Sequence, residues 1–178
     1  MSEELSNLIS TTSKFDSNYQ RLIYLLTKII GNIIEQSVNY EQKISHKDLK
    51  DSIEENPKIS VTKYIKRLIK YTNPEPSTLI LAVIYFDRIC SNGKISLSFS
   101  NVYKLILISI VLAIKFNEEF FDSNEFYGKV GGLKIKSINK LELNALKVLE
   151  FNLYVKQELY DCYVNQFSAF LNSNRIVL

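Results

Sequence analysis

Apolar residues fall along this chain in stripes of helical period, and the predicted helices differ in how much of their circumference is apolar. From Asn18 to about Val38, Leu22, Leu25, Leu26, Ile29, Ile30, Ile33 and Ile34 recur every three or four residues, which predicts an amphipathic helix. A polar connector, Asn39 to Lys58, follows and closes near Pro57. The next helix, about Ser60 to Tyr71, sets Val61, Tyr64, Ile65, Leu68 and Ile69 against a side made of Lys63, Lys66, Arg67 and Lys70. Asn73, Pro74 and Pro76 end it, because proline cannot continue a helix. Ser77 is expected to cap a third helix, Thr78 to about Cys90, apolar on nearly every face except at Asp87 and Arg88.

Ser91, Asn92 and Gly93 make a turn, and Ser98 or Ser100 is expected to cap the fourth helix. That helix carries the run LILISIVLAI, Leu105 to Ile114, which stops at the single charge of Lys115. Such a run must be buried all round. It is about half the roughly 20 residues needed to cross a bilayer, so other helices have to surround it. Asp122 with Glu125 resembles a capping box for a short fifth helix ended by Gly131 and Gly132. Ser137 opens a sixth, with Ile138, Leu141, Ala145, Val148 and Leu149 inward, and a last helix covers Gln157 to Leu171. Residues 1–17 read as a flexible tail. The sum is one all-α domain around one central helix, with no internal repeat and no interdomain linker.

Composition changes this picture little. Five glycines, three prolines and no tryptophan leave little room for a turn-rich β-sandwich. The net charge of +3, with basic residues interspersed among acidic ones, is too mild to imply nucleic acid. The start, MSEELSNLIS, lacks the basic and apolar regions of a secretory signal, and Cys90 and Cys162 read as free thiols. The expectation is an intracellular protein, cytoplasmic or nuclear, without a membrane segment.

Catalytic constellations are scarce. The one histidine, His46, lies in the polar connector, and the two cysteines lack zinc-ligand spacing. No nucleophile–base pair can be assembled, so neither an enzyme, a cofactor nor a small-molecule substrate is expected. The segment GKVGG, Gly128 to Gly132, matches no phosphate-binding fingerprint and reads as helix termination. Lys63, Lys66, Arg67 and Lys70 read as a solvated helix face, with phosphate contact the lesser alternative. Lys115 is more pointed. Leu112 and Phe116 flank it at helical spacing, and Glu142 stands on another apolar-rich helix with Leu146 one turn later. Spacing leaves two readings open: a partner-binding edge, or a plain intramolecular Lys–Glu pair.

Three strings together resemble a cyclin box. LAVIYFDRI (Leu81 to Ile89) is similar to its second helix, LAIKFNEEF (Leu112 to Phe120) to the end of its third, and LELNALKVLEFNL (Leu141 to Leu153) to its fifth and exit. PKISVTKYIKRLIKYT and FYGKVGGLKIKSINKLEL resemble in particular the P-type (PHO-like) cyclins, a group with single-box members flanked by extra helices. The pattern gives a flexible tail at 1–17, an N-terminal helix and connector at 18–58 and a C-terminal helix at 156–178, and the resemblance implies a five-helix box at 59–155 around its third helix. After Val155 too few residues remain for a second box.

The family activates cyclin-dependent serine/threonine protein kinases, so the implied partner is such a kinase's catalytic subunit. By motif, Lys115 and Glu142 are the residues that hydrogen-bond the kinase backbone around its movable C-helix. Leu112, Phe116, Leu146, Phe151 and Leu153 match the apolar positions that receive that helix. Two features depart from the pattern. The first box helix, SVTKYIKRLIKY, lacks the Met-Arg-x-x-Leu patch with which cell-cycle cyclins recruit substrates. The arginine that pairs with the second-helix aspartate is also missing, which leaves Asp87 to pair with Arg67, with Lys63 or with its neighbour Arg88. A nucleic-acid-binding cyclin-fold protein and a kinase scaffold without activation are the rivals.

Overall fold

The computed structural model describes residues 23, 24, 27, 28, 30, 31, 59–93, 95, 97 and 101–173. Among them are six continuous helices and no strand: α1 (Val61–Thr72), α2 (Pro76–Ser91), α3 (Val102–Asn117), α4 (Asn124–Gly131), α5 (Ile135–Val148) and α6 (Gln157–Ser173). The described residues between 23 and 31 are all helical; of the expected apolar stripe only Ile30 is among them and it is buried, as are Ile23 and Thr27, which lie outside that stripe. The rest of that stretch, the tail, the connector with His46, and both Ser98 and Ser100 lie outside the described residues.

α3 is the centre. Every residue from Val102 to Ile114 is buried, and α1, α2, α4 and α5 all pack on it. This accounts for LILISIVLAI: a helix enclosed on four sides has no polar face, and each fully buried Leu or Ile contributes about 1.5–3 kcal/mol. α1, by contrast, buries only Tyr64, Ile65, Leu68 and Ile69 and turns its cations outward. α6 packs on α2, with Val164 and Phe167 buried.

Several helix starts differ from expectation, that of α3 among them, which begins at Val102 with Asn101 rather than a serine as its N-cap. α2 begins at Pro76, with Glu75 as N-cap, so Ser77 lies inside the first turn. Proline suits that first position, where its missing N–H is not needed, and the Glu75 N–H donates to Glu118 Oε1 at 2.8 Å. α4 is capped by Ser123, whose Oγ accepts from the Phe126 N–H, rather than by Asp122; Glu125 instead pairs with Lys129 one turn on at 2.8 Å. α5 starts at Ile135, two residues before Ser137. Asp87 takes none of its three expected cations: it accepts from Tyr163 Oη on α6 at 2.6 Å, while Arg67 Nε donates to Val130 O and Arg88 to Tyr154 O.

GKVGG proves to be packing and termination. Gly132 caps α4 with φ of 77°, the left-handed region glycine tolerates. A Cβ on Gly131 would overlap the Leu107 side chain, so this glycine lets α4 close on the central helix.

Candidate partner-binding site

Lys115 stands in the last turn of α3, where a cation is favoured by the helix dipole. Glu142 reaches it from α5, and Asn124, the first residue of α4, completes the group. Lys115 Nζ lies 2.7 Å from Glu142 Oε1 and donates to Asn124 Oδ1 at 2.7 Å. Asn124 Nδ2 donates to Glu142 Oε2 at 2.6 Å and to Asn139 Oδ1 at 2.8 Å. One amide therefore accepts from the cation and donates to the anion, and three helix termini or faces are fixed together.

Of the two readings left open by spacing, the intramolecular pair is formed, but it does not exhaust the group. An ammonium has three N–H donors, two are used, and among the described residues the third has no partner. The side chains of Lys115 and Glu142 keep 23% and 18% of their surface. They are dry enough for strong hydrogen bonds and open enough to be reached.

The surroundings are aromatic and unusually exposed. Phe116 is 52% exposed, Phe151 63%, and Phe120 and Phe121, in the loop between α3 and α4, are 83% and 57%. Leu146 and Leu153 are half-buried, whereas Leu112 lies in the core and supports the site from beneath. Phe151 is held outward by the backbone: Glu150 and Phe151 both have positive φ, 54° and 56°, and the Phe151 N–H donates to Leu146 O at 2.7 Å. Two left-handed non-glycine residues in succession store about 1 kcal/mol or more each, a strain that the surrounding structure has to hold. Tyr85 Oη, donating to Leu153 O at 2.7 Å, fixes the chain just beyond. Large apolar side chains left exposed on the segments that carry a polar pair have the composition of a protein-binding patch.

Sequence reasoning missed Asn124, because its place depends on Ser123 capping α4. It also passed over Phe120 and Phe121, whose signal was present: an aromatic pair directly after two glutamates, outside any apolar stripe. Among the described residues no group of three or more His, Cys, Asp or Glu is placed to hold a metal, and no helix is long and apolar enough to cross a membrane.

A box of five helices closed around a buried third, with the end of that helix tied to the fifth, is the architecture of a cyclin box. The family model for Cyclin matches residues 2–153, and the chain belongs to the cyclin family. Among its relatives, Cyclin-U2-1 of Arabidopsis thaliana is 30% identical over 165 residues, covering 89% of this chain and 73% of the relative. Cyclin-P3-1 of Oryza sativa subsp. japonica is 29% identical over 163 residues, 89% of this chain and 68% of the relative. PHO85 cyclin-7 of Saccharomyces cerevisiae is 30% identical over 128 residues, 65% of this chain and 45% of the relative. These relatives agree with the P-type (PHO-like) character of the sequence.

Proposed function

We propose that this chain is the regulatory subunit of a cyclin-dependent serine/threonine protein kinase and activates it by holding the kinase C-helix inward. The observation that carries the reading is the Lys115–Asn124–Glu142 group, with one N–H left without a partner among the described residues, on segments that also expose Phe116 and Phe151. Lys115 donates to kinase backbone carbonyls; Glu142, already oriented by two hydrogen bonds, accepts from backbone N–H groups. Phe116, Phe151, Leu146 and Leu153 supply the apolar seat, with Leu112 beneath. Pre-organisation matters, because groups already fixed lose little entropy on binding.

The chain performs no chemistry in this mechanism. It needs only a higher affinity for the kinase conformation in which the C-helix glutamate meets the ATP-anchoring lysine. Shifting such an equilibrium from 1:99 to 99:1 requires about 5.5 kcal/mol of differential binding. The test is co-purification with candidate cyclin-dependent kinases and assay of their activity, for the wild type and a Lys115→Ala, Glu142→Ala double variant. The wild type is expected to bind and activate, and the folded double variant to do neither. Full activation by the double variant overturns the site; binding without activation by the wild type makes the chain a scaffold.

A further inference from the structure

The net charge of +3 conceals a segregation that the packing creates. From Ile59 to Pro74 the chain has four cations and no carboxylate; from Phe126 to Leu141 it has four more and again no carboxylate. These segments are distant in sequence but adjacent in the fold. Arg67 Nε donates to Val130 O at 3.0 Å and Tyr64 Oη to Gly131 O at 3.1 Å, so α1 lies against the end of α4 and the turn into α5. The carboxylates Glu118, Glu119, Asp122 and Glu142 gather instead at the Lys115 end of α3 and the opposite end of α4.

On α1, Lys63, Lys66, Arg67 and Lys70 recur at spacings of three, four and seven, a single exposed stripe opposite the buried Tyr64, Ile65, Leu68 and Ile69. Lys129, Lys136 and Lys140 are exposed on the adjoining segment. Lys129 is engaged with Glu125, but Lys63, Lys66, Lys70 and Lys136 form no ion pair among the described residues. Tyr71, 54% exposed, sits between the cations, with Arg67 at 5.8 Å and Lys70 at 5.7 Å from its ring centroid. Lys63 with Arg67, and Lys66 with Lys70, are like charges one turn apart, an arrangement that opposes folding unless an anion relieves it. A solvated face explains each lysine singly; it does not explain why two acid-free segments are brought side by side.

We propose that this face binds a polypeptide segment of clustered negative charge, a run of Asp and Glu or of phosphorylated side chains, and thereby delivers substrates to the kinase. The delivery rests on the kinase-regulatory reading; the binding does not. Length favours a peptide. Lys63 to Lys70 spans about 10 Å of helix, the reach of roughly three extended residues, whereas duplex DNA recognition rests on many phosphate contacts. Tyr and Arg are the residue types that dominate interface energetics. The position fits as well: α4 bonds Lys115 through Asn124 at its start and Tyr64 through Gly131 at its end, about 10 Å apart along its axis. A peptide held on the basic face therefore starts one short helix away from the Lys115 group.

The test uses the full chain alone and fluorescein-labelled peptides of one sequence in three forms: glutamate-rich, multiply phosphorylated and uncharged. Anisotropy is expected to show binding of both charged forms, weakening steeply with added NaCl. A Lys63→Glu, Lys66→Glu, Lys70→Glu variant, with Arg67 kept because it joins α1 to α4, is expected to lose about tenfold or more in affinity. A Lys→Gln version of the same triple, which adds no new charge, secures the result if the glutamate version does not fold. Equal binding of the uncharged peptide, unchanged affinity in the folded triple variants, or tighter binding to random duplex DNA or to phosphatidylserine vesicles overturns the proposal. Kinase co-purification, measured separately, is expected to survive in the triple variants; its absence in the wild type with peptide binding intact refutes the kinase reading alone.

Discussion

A double-mutant cycle on Lys115 and Glu142 measures whether the group at the end of α3 is as tightly made as its geometry says. The perturbations are Lys115→Met, which keeps the apolar stem, and Glu142→Gln, which keeps the shape and removes the charge. Exposed ion pairs couple by about 0.2–1 kcal/mol, and hydrogen bonds to charged groups contribute about 1.5–3 kcal/mol. At 2.7 Å, with roughly four-fifths of each side chain covered, this pair falls between the two, at about 1.5 kcal/mol. Each single variant is expected to lose that much in urea unfolding followed by circular dichroism, and the double variant little more than either single. Raising the salt concentration is expected to trim the coupling only slightly, because covered pairs are weakly screened. Additive losses, or a coupling below about 0.3 kcal/mol, would refute the argument.

Three further outcomes follow from the core. Ser109 Oγ is buried on α3 without a hydrogen-bond partner among the described residues, beside a partly open pocket of about 20 Å³ lined by Ile65, Ile69, Val83, Phe86 and Ile106. Ser109→Ala is expected to stabilise the protein by about 1 kcal/mol, raising Tm by about 2–4 °C; a lower Tm counts against it. Gly131→Ala drives a methyl into the enclosed Leu107 and is expected to lose about 1–3 kcal/mol, whereas Gly132→Ala, with open space but positive φ, loses about 1–2 kcal/mol; comparison of their urea midpoints checks this. Alkaline pH is expected to unfold the chain. Burial pushes the Tyr85 and Tyr160 phenols and the Cys90 thiol up to about 12, and raises Tyr64 and, with help from its bond to Asp87, Tyr163. The folded state thus keeps protons that the unfolded chain releases near pH 9–10, so this stability is complete below that range and is lost as pH rises towards 12. Urea midpoints that hold steady to pH 11 would show the phenols to be less enclosed.

Much of the site was readable because it depends on helical period. Lys115 closes the apolar run, and Glu142 and Leu146 share one face of α5, so their neighbourhood followed from pattern and from the resemblance to the cyclin box. Asn124 was not readable, since it enters the group only because Ser123, not Asp122, caps α4. Asp87 went to Tyr163 for a similar reason: its partner comes from α6, whose packing against α2 no local pattern encodes.

Helical structure throughout the box, the enclosure of LILISIVLAI and the isolated charge at its end are all written in the order of residues. These follow from short-range rules, in which the spacing of apolar residues sets which face must leave water. Which side chains meet across elements came from the packing of the helices. It placed Asn124 between a cation and an anion, turned Phe151 outward through two left-handed residues, and laid two acid-free segments against each other. Contacts of that kind depend on where each helix begins and how it crosses its neighbours, and ångström-scale differences in either exchange one partner for another.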